Sequence, residues 1–328
     1  MTNLNVKYLG LDLKNPIIAG SCGLTNSLEN LKAIEEAGAG AVVLKSIFEE
    51  EIYLEFAHEF SKLGPMDNNL EFLDYYDYQI KKDNLKHYLS LISEAKKVLT
   101  IPVIASINCV TAHEWAFFAK KVEDAGADAI ELNIFVLPTN LSQSGQDNES
   151  MYFDIVSRVS SKIKIPISLK ISPYFSNLGG VIRDLSFSEI SGLVLFNKFY
   201  SPDVDIVHQR IVGSDVLSQN TDYKLSLRWI GMMANRVNSD LSASTGIHSW
   251  QSIVKMLLVG ATTVQVVSAL YQDGFPVITG MIQDLRKWME ENNYSSIADF
   301  KGKLSLDNTT NLAEFERVQF MRNFGEHK

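Results

Sequence analysis

The stretch VEDAGADAIELNI, residues 122–134, joins the end of a helix to a buried strand across an Ala-Gly pair. Glycine stops a helix there because it takes the left-handed conformation without a Cβ clash. The apolar run that follows is short and nearly unalternated, as in a parallel strand covered on both faces. The same order recurs in IEEAGAGAVVLKS (34–46) and LLVGATTVQVVS (257–268). Five more runs have this strand character: PIIAGS (16–21), PVIASIN (102–108), PISLKIS (166–172), GLVLFN (192–197) and DLSAST (240–245). Amphipathic sequence separates them, for instance over 111–125, 149–163 and 248–259. Eight strands, each followed by helical sequence, predict an α/β fold, the (β/α)8 TIM barrel. A doubly wound open sheet is the alternative, but its first turn carries a glycine fingerprint that AGSCGLTNS (19–27) lacks.

The barrel is expected over residues 1–304, followed by a polar tail at 305–328. Two connections are long, 47–84 after strand two and 198–223 after strand six. Insertions at the C-terminal ends of barrel strands form lids or contacts between copies. The run Glu49, Glu50, Glu51 reads as a solvated face rather than a metal site. Met232, Met233 and Met256 at helical spacing read as core.

With 328 residues, 46% hydrophobic and 21% charged, the composition is that of a globular protein. A net charge of −9 with no basic stripe argues against nucleic acid as a partner. No apolar run spans a bilayer, and the N-terminus lacks the basic start and apolar core of a signal peptide. The two cysteines, Cys22 and Cys109, form no CxxC pair, so neither a zinc site nor a disulfide framework is expected and a cytoplasmic location is. There is no NAD fingerprint and no iron–sulfur cysteine set, so an electron acceptor would be another molecule or a partner chain.

Barrel chemistry sits where strands end. Those ends read Gly20-Ser21, Lys45-Ser46, Asn108, Asn133, Lys170, Asn197, Ser244-Thr245-Gly246 and Ser268. A lysine ending an apolar strand must meet an anion or a polar ring to offset its desolvation. Three asparagines offer paired donors and acceptors to a flat heterocycle with amide edges. SASTGIHS (242–249) ends a strand and opens a helix, an arrangement suited to phosphate. Taken singly, each asparagine also fits a loop cap and each lysine an ion pair. His113 fits a helix N-terminus, and His58 in the long excursion and His87 just past it have no visible partner.

These residues resemble the dihydroorotate dehydrogenase family. NPIIAGSCG (15–23), AVVLKS (41–46), ELNI (131–134), PISLKISPYF (166–175) and NYSSIADFKGKL (293–304) carry the resemblance over roughly 5–304. GLVLFNKFYSPDVD (192–205) and LSLRWIG (225–231) resemble a divergent dihydroorotate dehydrogenase-like subgroup. The resemblance implies a (β/α)8 barrel, FMN as cofactor, and oxidation of dihydroorotate to orotate in pyrimidine biosynthesis. By motif, Gly20, Ser21, Lys45 and Ser46 would lie along the flavin, with Asn108 and Asn133 on the ring or substrate. Lys170 would stand near the N1–C2 edge, where positive charge favours the anionic reduced flavin. Asn197 would face the substrate; Ser244, Thr245, Gly246 and Ser268 would hold the phosphate. Homodimers are common among soluble relatives.

One departure bears on mechanism. The family reads ELNxSCPN or xNxSSPN at strand four, with Cys or Ser taking a proton. Here that register places Val136 at the base position and Pro138 where a substrate-binding Asn is expected, and valine cannot accept a proton. Ser142 and Ser144, in TNLSQSGQDN (139–148), lie on the same loop, and Cys22 and Cys109 lie near strand ends. Ser144 is the replacement base carried forward, with Lys45 as the second candidate catalytic group. Arg228 is a candidate compensating charge at the altered phosphate turn. Two alternatives stand beside dihydroorotate oxidation: a flavoprotein reductase for another pyrimidine, cyclic amide or enone, and a phosphate-binding barrel without flavin.

Overall fold

The structure, a computed structural model, describes residues 2–48, 70–108 and 112–308, with the side chains of 70–83 and 112–114 outside that description. Glu49–Glu51, His58, Cys109, the His113 side chain and the tail beyond 308 therefore lie outside the described residues. Eight parallel strands close into a barrel: β3 (Ile17–Ala19), β4 (Ala41–Val43), β6 (Val103–Asn108), β7 (Ala129–Asn133), β8 (Ile167–Ile171), β9 (Gly192–Leu195), β12 (Asp240–Ala243) and β13 (Thr263–Val266). Each pairs with the next in chain order and β13 returns to β3, with Val264 opposite Ile17. A short β5 (Ile47–Phe48) pairs alongside β6.

The helix-stop reading of the opening stretch has a direct counterpart in the backbone. Gly38, Gly126 and Gly260 end their helices at φ of 103°, 100° and 116°. The helices concerned are α1 (Leu28–Glu36), α3 (Ala112–Asp124) and α7 (Trp250–Val259). The outer ring continues with α2 (Leu70–Val98), α4 (Gly145–Ser160), α5 (Leu178–Ser186), α6 (Tyr223–Met233), α8 (Ser268–Asp273) and α9 (Pro276–Glu291). Because α2 begins at Leu70, the excursion read as 47–84 gives up its last part to helix. Within 198–223 a β-hairpin stands out, β10 (Pro202–Asp205) against β11 (Arg210–Gly213). At the other end of the chain Ser305 and Leu306 are buried, so close contact with the barrel continues past residue 304.

The strands divide their side chains by face. Ile130 and Leu132, Leu169 and Ile171, and Val264 and Val266 belong to the main core with the helices. Ile18, Ala41, Val43, Ile104 and Ala129 form a second cluster inside the barrel with Tyr8, Leu9 and Leu13. Those last three come from an N-terminal hairpin, β1 (Val6–Tyr8) and β2 (Leu11–Leu13), that plugs the floor. The Leu9 amide donates to Asp240 Oδ2 at 2.9 Å and anchors the plug. Above it the alternate positions turn polar: Ser106 and Asn108, Glu131 and Asn133, Ser168 and Lys170, Ser242 and Ser244, Thr263 and Gln265 are all buried or nearly so. In β6, β7, β8, β12 and β13 the upper half of the barrel thus alternates polar inward with apolar outward, while β3, β4 and β9 stay apolar throughout.

Candidate active site

A cavity of about 670 Å3 opens at the C-terminal ends of the strands, a size common to cofactor sites. Its lining brings together Ser21, Lys45, Ser46, Asn108, Asn133, Lys170, Asn197, Ser244, Thr245, Gly246 and Ser268 from the sequence reading. Gly20 sits just beneath: a Cβ there would lie 2.7 Å from Val267 Cγ2 and 3.2 Å from Gln265 Cβ. The strand end passes too close to β13 for any larger residue.

Ser46 is the hub on one wall. Its hydroxyl lies 3.2 Å from Ser21 Oγ and 2.7 Å from Ser106 Oγ, and accepts from Asn133 Nδ2 at 3.4 Å. Tyr88 fixes Ser106 in turn, its hydroxyl donating to the Ser106 carbonyl at 3.0 Å and accepting from the Ser106 amide at 2.8 Å. Asn133 is thereby oriented by its amide nitrogen, while its Oδ1 is buried without a hydrogen-bond partner among the described residues. Such an atom costs free energy unless a ligand or water donates to it. Asn197 spends its Nδ2 on the Ile134 carbonyl at 3.3 Å. On the facing wall Lys170 Nζ donates to Gln265 Oε1 at 2.9 Å.

The anion-type turn has its own geometry. Thr245 and Gly246 are both left-handed, at φ of 74° and 77°. That conformation is costly for a β-branched residue, and Thr245 holds it with Oγ1 donating to the Phe196 carbonyl at 3.1 Å. Ser268 opens α8, and its hydroxyl accepts from the Ser218 amide at 2.8 Å and the Ser218 hydroxyl at 2.9 Å. His248 Nε2 lies 3.0 Å from the same Ser218 hydroxyl. Ser218 comes from the 198–223 connection and carries no motif by which it could be selected.

Other candidates are placed elsewhere. Ser144 caps α4: its hydroxyl donates to Asp147 Oδ2 at 2.7 Å and accepts from the Asp147 amide at 3.1 Å. It is exposed and does not line the cavity, because a serine before a helix is held by the free amides of its first turn. Ser142 is exposed as well, donating to Asn140 Oδ1, and Arg228 stands on the exposed face of α6. Val136 packs against the core, and it is Phe135 of that loop that reaches the cavity. Phe135 stacks on Phe199 at 3.9 Å between ring centres, with Tyr174 edge-on to Phe199 at 4.7 Å. Cys22 lines the cavity; burial pushes its thiol pKa up, with hydrogen bonds from the turn opposing. Among the described residues no cluster of three or more His, Cys, Asp or Glu side chains offers a metal site. No helix among them is long and apolar enough to cross a membrane.

A closed barrel with a cavity at its strand ends is the architecture of barrel enzymes, and comparison with known proteins makes this one a dihydroorotate dehydrogenase-like oxidoreductase. The family model described as dihydroorotate dehydrogenase matches residues 68–289, more than half of the sequence, so the chain belongs to the dihydroorotate dehydrogenase family. It is 26% identical to the catalytic subunit of dihydroorotate dehydrogenase B (NAD(+)) of Thermoplasma volcanium, over 92% of this chain and 98% of that one. The Pyrococcus furiosus protein of the same name is also 26% identical, over 92% and 98%. The NAD-dependent dihydropyrimidine dehydrogenase subunit PreA of Escherichia coli is 24% identical, over 92% of this chain and 76% of that one.

Proposed function

We propose that the cavity binds FMN and that the chain is an FMN-dependent oxidoreductase acting on the CH–CH bond of a planar cyclic amide, with dihydroorotate the first candidate. The observation that carries this reading is the convergence of Lys45, Ser46, Asn108, Asn133, Lys170 and Asn197, from five successive strands, on one cavity. The residues fit such a group: Asn133 Oδ1 is a buried acceptor in need of a donor, and the Gly20 strand end offers backbone where a side chain would intrude. Lys45 and Ser46 would hold one edge of the ring, Lys170 another, and Ser244, Thr245, Gly246 and Ser268 the phosphate. Bound flavin supplies the hydride acceptor.

The protein's own part is orientation and exclusion of water. Asn133, fixed through Ser46, and Asn197, fixed through Ile134, present amide oxygens to N–H groups of ring or substrate. The proton is the weak point. Val136 cannot take it, and the Ser144 hydroxyl is committed to its cap. Loss of a positioned base costs about two to four orders of magnitude in rate. The Phe135–Phe199 stack favours a substrate without a carboxylate, so a dihydropyrimidine, whose C5 proton must equally find an acceptor, is the second reading. The relatives' names include catalytic subunits, which supports a partner subunit as the route to an external electron acceptor.

Fluorescence titration tests the reading. FMN is expected to be quenched at one equivalent per chain, and more weakly by Asn133→Ala and Lys170→Met variants that remain folded. Equal FMN affinity in all three proteins, or none in any, would overturn it.

A further inference from the structure

Beneath the cavity, inside the barrel, lies a buried carboxyl group that the proposed function does not use. Glu131 is 1% exposed and stands on β7 two residues before Asn133. Its Oε2 accepts from Gln265 Nε2. Its Oε1 has no hydrogen-bond partner among the described residues and lies 3.9 Å from Lys170 Nζ. Gln265 bridges the two, since its own Oε1 accepts from Lys170 at 2.9 Å. The amide can be satisfied in one sense only, its NH2 toward the carboxylate and its carbonyl toward the ammonium.

A buried ion pair of this kind is poor value for stability: apolar residues of similar volume often do as well or better. The carboxylate also acts at a distance. Burial holds the Tyr8 phenol pKa well above its ordinary value, and the charge of Glu131 adds to that shift. Burial raises Tyr88 too, a hydrogen bond at Ser106 opposes it, and Glu131 again adds to the rise. Lys170 meets the cavity on one side and this carboxylate, through Gln265, on the other.

We infer that Glu131, acting through Gln265, sets how much positive charge Lys170 presents to the cofactor, and so tunes the potential of the bound flavin as a positioning residue. The inference rests on the FMN reading above. Glu131→Gln keeps the acceptor for Gln265 and removes the negative charge. The ratio of reduced to oxidised FMN affinity is then expected to rise about tenfold, which is about 30 mV upward for a two-electron couple.

The potential is read anaerobically against a reference dye, with oxidised-FMN affinity from fluorescence and the fold from circular dichroism. Thr263→Val removes a buried hydroxyl from the same strand as Gln265 without changing charge, and is expected to leave the potential in place. A shift in Glu131→Gln of less than about threefold, or downward, or a Thr263→Val shift of equal size, overturns the inference. Should Glu131→Gln fail to fold, Glu131→Asp draws the carboxylate back from Gln265 and is expected to move the potential the same way by less; no movement overturns the inference. Wild-type protein that binds no FMN overturns this inference and the flavin reading together. FMN bound normally with an unmoved potential overturns only the role of Glu131.

Discussion

Gly10 and Gly246 share one backbone angle, φ of 77°, in different surroundings, which makes alanine substitution at the two a controlled experiment. At Gly10 an added Cβ meets nothing within 4 Å. Its cost is the left-handed conformation alone, about 1–2 kcal/mol. At Gly246 the same Cβ would stand 2.2 Å from the Tyr223 amide nitrogen and 2.8 Å from the Asp222 carbonyl carbon. Backbone cannot swing aside as a side chain can, so overpacking adds about 1–3 kcal/mol. Stiffening of the unfolded chain is common to both variants and cancels in the difference. Urea unfolding followed by circular dichroism should therefore show Gly246→Ala less stable than Gly10→Ala by about 1–3 kcal/mol at unchanged m-value. Displacement of the α6 start should also weaken FMN binding in Gly246→Ala alone. Two variants equal in stability to within about 0.5 kcal/mol would refute the claim that this turn is held by backbone contact.

Ser144→Ala is expected to cost about 1 kcal/mol in stability through loss of the α4 cap, while flavin binding and turnover stay at wild-type values; steady-state kinetics beside urea unfolding checks both. Hydrogen bonds from the Ser295 hydroxyl first, then from Ser296, lower the Asp299 pKa from 3.8 to about 2. A carboxyl depressed in the folded state contributes stability that is complete above pH 4 and lost as pH falls toward 2. Asp299→Asn should flatten that acid limb, measured as unfolding midpoints from pH 5 to 2. Since burial raises the Cys22 thiol pKa, alkylation in a Cys109→Ser background at pH 8 should be slower in native than in urea-unfolded protein, followed by mass spectrometry.

The barrel was legible because its punctuation is local. Gly38, Gly126 and Gly260 mark helix ends wherever they stand, and the apolar runs behind them reach the outer core. The plug at 6–13 was not legible, since two three-residue strands carry too little pattern to read. The excursion hid the start of α2 for a related reason: LEFLDYYDYQIKKD mixes aromatic and charged residues without a clear apolar stripe. At the cavity, the lining residues that end strands are legible in the sequence, whereas those lower in the barrel are not. Gln265 and Glu131 sit inside runs that look apolar because their outward neighbours are. Only the period of two, Glu131 with Asn133 and Thr263 with Gln265, signals an inward polar face. Ser144 shows the converse: proximity in sequence to the loop of interest says nothing of what a nearer backbone amide claims.

The most direct test of the central claim is the visible spectrum of the FMN-reconstituted protein under anaerobic conditions, before and after dihydroorotate or a dihydropyrimidine is added. The account predicts a protein-bound flavin band that bleaches with one of the two, slowly with dihydroorotate because no base stands at Val136. A protein that takes up no flavin, or whose flavin band is unmoved by either compound, would contradict it.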